Sequence, residues 1–241
     1  MKYYCDLHLH SALSPCGDND MTPNNIVNMA MLCGLDIIAI TDHNSIGNVK
    51  AAMEVAKQSR LLVVPGMELE TAEEAHFVCL FPTLEAATAF SKWLAPYRLP
   101  IRNRPELFGE QLYLDAQDVP TGHEERLLVT ACTCSVYDAA PAVRSFSGTI
   151  FPAHVDKSSY SIIASLGTIP EDLGFTTVEL SKNISKETAL EQFPYLENYR
   201  IITNSDSHYL DSFYETQNPI ELEGLTTEAL IHALSSPINK K

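Results

Sequence analysis

Nowhere in its 241 residues does this sequence hold 18 apolar residues in a row, which excludes an ordinary membrane-spanning helix. Its start lacks a basic stretch followed by an apolar one, so no signal peptide is expected and the protein is read as cytoplasmic. Basic side chains are scarce: 16 Lys and Arg stand against 31 Asp and Glu, a net charge of −15. Nucleic-acid binding draws much of its affinity from Lys and Arg contacts to phosphate. No basic run offers them here, so such a partner is disfavoured, although a local basic groove or bound cations would offset the balance. The six cysteines form no disulfide framework, and Cys132 and Cys134 make a C-x-C that no second pair completes into a zinc ribbon. No internal repeat, low-complexity tract, heptad seam or second domain is evident, which leaves the oligomeric state open.

What is present is apolar residues, 45% of the chain, enough for a sizeable core. They come in short runs separated by helical patterns. "KYYCDLH", "LDIIAIT", "RLLVVPG", "HFVCLFP", "GTIFPAH", "FTTVELS" and "YRIITNS" read as strands. Thr22 and Pro23 open a helix that Gly34 ends, Asn44 or Ser45 is expected to cap a second, Thr83 caps a third, and "TTEALIHALSS" closes the chain. Strand alternating with helix predicts α/β architecture, and this many units in one chain favour a closed or distorted barrel. The segment from about 97 to 147 is less regular.

Two histidines, His8 and His10, flank one leucine at the end of the first strand. In extended backbone, residues two apart point to one face, so the pair is either an ordinary exposed edge or a two-toothed clamp. Three more histidines, His43, His154 and His208, also fall where a strand gives way to a loop. Asp42, Glu68, Asp156 and Asp206 share these places. The C-terminal ends of parallel barrel strands converge on one mouth, which would gather these side chains into one cluster of imidazoles and carboxylates. That mixture suits Zn, Mn or Fe. His76 departs from the pattern, because it opens its apolar run instead of closing it. His123 and His232, in a polar loop and the last helix, read as ordinary.

The order of the motifs "DLHLHS", "TDHN", "PGMELE", "AHFVCLF", "PAHVDK" and "SDSHYL", from Asp6 to Leu210, resembles the polymerase and histidinol phosphatase (PHP) family of metal-dependent phosphoesterases. The resemblance implies a single PHP domain over 1–241, folded as a distorted (β/α)7 TIM-like barrel, with two to three divalent ions (Mn, Fe or Zn) at the C-terminal ends of the strands. It places His8, His10, Glu68 and Asp206 on one metal, with Glu68 bridging to a second held by His76 and His154. His43 and His208 would hold a third with one ligand from the loop after His10. In the family an Asp or His commonly stands five residues after the second histidine, where this chain has Pro15. The loop is longer here, and Asp18 is expected to substitute, with Asp20 and Cys16 as rivals.

The activity so implied is hydrolysis of a phosphate ester of a small metabolite or nucleotide, by a hydroxide shared between metals. A bound divalent ion lowers the pKa of water from 15.7 towards about 7 and offsets charge on the ester. Asp42 and Asp156 are expected to orient the imidazoles of the site. Lys157, which follows "PAHVD", is the best-placed cation for substrate phosphate, with Lys182 and Arg104 as further candidates. Three other readings stand beside this one: a single-strand nuclease of the same family, an amidohydrolase-like metallohydrolase, and a non-catalytic metal-binding module.

Overall fold

The computed structural model describes residues 1–213 and 219–238. Five strands form its main sheet: β1 (Cys5–Leu9), β2 (Ile37–Ile40), β3 (Leu62–Glu70), β4 (His76–Leu80) and β5 (Thr149–Pro152), adjacent in that order. A further pair, β6 (Thr177–Leu180) and β7 (Arg200–Thr203), is parallel. The strands β1, β2 and β3 run parallel, whereas β4 is antiparallel to both β3 and β5. Ile37, Ile38, Ala39 and Ile40 are all fully buried, as expected of a strand covered on both faces.

Helices Pro23–Leu32 and Val49–Ala56 pack Ile26, Val27 and Ala52 against Leu9, Ile38 and Ile40. Helix Thr227–Ser235 brings Leu230 and Leu234 into a second cluster with Leu7, Val64, Val78 and Phe151. The largest cluster joins Phe77, Cys79 and Phe81 to Phe90 of helix Leu84–Leu94 and Val143 of helix Val136–Ser145. Thr22 and Thr83 cap their helices through side-chain bonds to the amides of Asn25 and Ala86. No helix among the described residues is long and apolar enough to cross a membrane.

The α/β class is observed, but a closed seven-stranded (β/α)7 ladder is not. The continuous ladder is a curled five-stranded sheet, and its β3–β4 step is a hairpin instead of a helical crossover. At the two places where the curl would close, buried side chains take amides that a neighbouring strand would otherwise pair. Asn204 Oδ1 accepts from Leu7 N and Asp6 Oδ1 from Ser205 N, between β7 and β1. Glu179 Oε1 accepts from His154 N, between β5 and β6. Backbone links there are few, such as His10 N to Ser207 O at 3.0 Å and Val155 N to Glu179 O at 2.9 Å.

The helix after β2 starts at Val49, and its cap position is Asn48, not Asn44 or Ser45. Asn44 instead turns with φ +50. Its amide donates to Leu128 O and Thr130 O and accepts from Glu70 N. The segment 97–147 contains more order than expected, including helix Val136–Ser145, whose Ser135 and Asp138 form a reciprocal capping box.

Candidate metal centre

Five imidazoles surround one carboxylate. Glu68 near the end of β3 is 1% exposed. Its Oε1 lies 3.1 Å from His8 Nε2, 2.8 Å from His76 Nδ1 and 3.2 Å from His154 Nε2. Its Oε2 lies 3.3 Å from His10 Nε2 and 3.0 Å from His43 Nδ1. Asp206 Oδ1 stands 3.5 Å from His8 Nε2 and 3.3 Å from His10 Nε2. His208 stacks on His10 with ring centroids 4.0 Å apart.

The fold explains this convergence. His8 lies in β1 and His10 directly follows it, and His43 follows β2, bridging to Glu68. His76 joins them because β4 runs backwards, so its first residue pairs with Glu70, the last of β3. The residue that broke the parallel-strand pattern thereby reaches the same rim. His154 and Asp206 hold their places with φ of +30 and +50, uncommon for residues with a side chain and concentrated at functional sites.

These contacts differ from an ordinary hydrogen-bond network. His8 Nε2, His10 Nε2, His43 Nδ1 and Glu68 Oε2 are buried yet have no partner of hydrogen-bonding geometry, a cost normally avoided. Their donor atoms converge in sets: His8, His10 and Glu68; His43, Glu68 and His76; His10, His43 and His208, each set within 4.8 Å. Mixed nitrogen and oxygen donors so arranged fit divalent transition metals.

The far nitrogens are held as metal-binding imidazoles require. His8 Nδ1 lies 3.0 and 3.1 Å from the two oxygens of Glu179. His10 Nδ1 lies 3.0 Å from Ser14 Oγ, whose hydroxyl donates to Asp42 at 2.7 Å. His208 Nδ1 lies 2.9 Å from Asp206 O. Each arrangement places the proton on Nδ1 and leaves Nε2 as an electron-pair donor.

Charge reinforces the arrangement. Burial pushes His8 down, but the Glu179, Glu68 and Asp206 carboxylates outweigh it and hold the imidazole well above its ordinary value. Burial likewise opposes ionisation of Glu68, and the surrounding His76, His8 and His43 overcome it, keeping the carboxyl well below the usual range. Burial together with neighbouring His10 brings His208 down to about 3. The site is thus a carboxylate whose ionised form is favoured by the imidazoles around it.

The remaining candidate residues are placed as follows. Asp42 accepts from Ser11 N, Ser11 Oγ and Ser14 Oγ and reaches His10 through Ser14. Asp156 accepts from Ser181 N and Oγ; the carboxylate facing the His154 ring is Glu68, and Glu179 accepts from the His154 backbone amide. Lys157 lines the mouth and pairs with Asp206 Oδ2 at 2.7 Å. Lys182 reaches Ser212 O and Arg104 lies over Phe108, neither lining the cavity. Asp18 is exposed, with Oδ1 accepting from Asp20 N, and joins none of the donor sets. Cys16 lines the cavity but likewise joins none of the donor sets.

Sequence reasoning passed over Glu179, Glu70 and Tyr160. Glu179 carried a usable signal, since an acid inside the apolar run "TTVEL" must find a buried partner. The cavity above the cluster measures about 330 Å3 and is walled by Glu70, Val129, Lys157 and Tyr160 beside the histidines.

A model of the PHP domain matches residues 6–231. The chain belongs to the PHP family. PHP members hydrolyse phosphoester bonds with metal ions, and the donor sets above are where this PHP chain could hold them. A 5′-3′ exoribonuclease of Salmonella typhimurium is 36% identical over 73 residues, 30% of this chain and 24% of that protein. The lesion-specific endonuclease Q of Pyrococcus furiosus superposes with a TM-score of 0.67 at 19% identity, over 98% of this chain and 56% of that one. A candidate metal-dependent phosphoesterase from Bifidobacterium adolescentis superposes at 0.61 and 18% identity, over 97% of both chains. Matched stretches span less than half the length of the curated relatives.

Proposed function

We propose that this PHP chain acts as a single domain that hydrolyses a phosphate ester of a small metabolite or nucleotide. Its ligands to two or three divalent ions would be His8, His10, His43, Glu68, His76, His154, Asp206 and His208. The observation that carries this reading is Glu68 ringed by five imidazoles at the floor of a cavity of about 330 Å3. That volume lies at the small end of ligand sites.

Bound divalent ions would supply an activated water and offset the ester's charge. The chain's own residues do the rest. Glu179, Ser14 and the Asp206 carbonyl hold the Nδ1 protons of His8, His10 and His208 away from the cavity. Asp42 fixes Ser14 and the turn of Ser11. Lys157, at the mouth and paired to Asp206, can turn its ammonium toward a phosphate oxygen. Val129 and Tyr160 add an apolar and an aromatic surface to the cavity wall.

A nuclease reading has specific support, because the chain matches an exoribonuclease at 36% identity over 73 residues and Tyr160, half exposed beside His76, presents a ring at the mouth. Bases stack on such rings. One assay separates the readings. Purified protein with Mn is offered phosphorylated metabolites, mononucleotides and end-labelled oligonucleotides. Turnover of the small esters supports the first reading, cleavage confined to oligonucleotides replaces it with the second, and no phosphoester turnover with metal bound would sink both.

A further inference from the structure

The donor set His10, His43 and His208 differs from the other two in lacking a carboxylate. His10 has one free nitrogen and also belongs to the set with His8 and Glu68, so imidazoles alone leave a tetrahedral ion here short of ligands. Asp206 is engaged elsewhere, with Oδ2 on Lys157 and Oδ1 facing His8 and His10. Asp18 and Asp20 are exposed, and the Asp18 carboxylate is turned to the amide of Asp20.

The loop that leads to them, from Ser14 to Asp18, brings a different donor to the cavity. Ser14 is tied to two members of the set, accepting from His43 N at 3.3 Å and lying 3.0 Å from His10 Nδ1. Four residues on, Asp18 N donates to His208 O at 2.9 Å. Cys16 is the midpoint between these anchors. Gly17 keeps the turn tight: its amide donates to Ser14 O, and a Cβ there would come within 2.9 Å of Ser11 O. The Cys16 thiol consequently lines the cavity beside His43 and His208. It is also the exposed one of the six cysteines. Independently, His43 Nδ1 and His10 Nε2, on side chains more than nine-tenths buried, have no hydrogen-bond partner.

We infer that Cys16 supplies a thiolate ligand to the metal position framed by His10, His43 and His208, and biases that position toward zinc, cobalt or ferrous iron over magnesium or manganese. The inference rests on the metal-centre reading above. On binding, the S–H bond breaks, its proton passes to solvent, and the sulfur electron pair forms the bond to the cation; no oxidation state changes. The position would then discriminate by softness of donor, while the sets around Glu68 keep harder oxygen.

Cobalt(II) tests this without reference to turnover. Metal-stripped protein is titrated with cobalt and followed by absorbance, metal content and accessibility of Cys16 to a maleimide. The expected result is a near-ultraviolet thiolate-to-cobalt charge-transfer band and protection of Cys16 from alkylation. The Cys16→Ser protein should lose the band and bind its last equivalent about tenfold or more weakly, while Asp18→Asn keeps both. Protection is read on the unaltered chain, so a folding defect in the variant does not blunt the test. An unchanged band in Cys16→Ser, loss of the band in Asp18→Asn, or cobalt uptake with no band and a freely alkylated Cys16 would each overturn the inference and leave the Glu68 centre standing. A chain that takes up no cobalt at all would overturn that centre too.

Discussion

Glu68 is the side chain that His8, His10, His43, His76 and His154 all face, and its replacement separates a metal centre from a mere hydrogen-bonded core. Glu68→Ala should reduce two to three equivalents of bound metal to roughly one or fewer, measured by elemental analysis of protein purified without chelator. Unchanged metal content would move the centre elsewhere. Glu179 acts at one remove, holding the His8 ring and accepting from His154 N and Asn204 Nδ2. Glu179→Gln should weaken metal binding about 10–100-fold and lower the melting temperature, since one buried partner is left mismatched at about 1–3 kcal/mol. Lys157→Ala should raise KM about tenfold or more, with Lys157→Arg restoring much of it, if its ammonium meets substrate phosphate; a change confined to kcat would assign it to Asp206 instead. At this scale the sequence was informative wherever a ligand ended or followed a strand. It was opaque for Ser14 and Asn44, whose partners Asp42 and Leu128 lie on distant segments, and for Glu179 it signalled a buried partner without naming it.

At the scale of elements, one reversal accounts for most of the distance between expectation and structure. Alternating strands and helices made the α/β class legible, and β1, β2 and β3 follow it. The β3–β4 hairpin does not, because only five residues, Thr71 to Ala75, separate the strands. So short a link cannot carry a parallel crossover, and that length was readable; the misfit of His76 was its trace. The irregular segment hid its helix because Pro141 sits inside it. That segment also braces the Cys16 loop: Gly109, at φ +101, lies so close to Pro15 that a Cβ would fall 2.0 Å from Pro15 O. Gly109→Ala should therefore displace the loop and cost more than the ordinary ~1 kcal/mol of a glycine at positive φ. Thermal unfolding would show it, and cobalt binding at the His10, His43 and His208 set should fall in parallel. A variant with unaltered melting and metal content would show that the two segments move independently.

For the molecule as a whole, metal and stability are coupled. The proposed ligands come from residues 8 to 208, so an ion bound by them favours the folded chain by RT ln(1 + [L]/Kd), about 2.7 kcal/mol at one hundred times Kd. A chelator should lower the melting temperature, and added Zn or Mn should restore it; equal melting curves with and without chelator would argue against tight ligation. The net charge of −15 bears on substrate in the same way. If long nucleic acid is cleaved, activity should fall steeply with salt, whereas a small ester turned over inside the cavity should be far less sensitive.

The place where β7 meets β1 has a further consequence. The first strand and the 204–207 stretch are joined there by Asn204, Asp6 and an isolated bridge between Leu9 and Ser207, with His10 N donating to Ser207 O, rather than by a ladder. His8 and His10 stand on one side of that join and Asp206 on the other. An ion shared by them is a clasp on a garment cut open along one seam. Amide hydrogen exchange would reveal this directly. Stripped of metal, Leu7, Ser205 and His10 should exchange early while Ile38 and Val64 stay protected, so that the chain opens like a cuff before it unfolds.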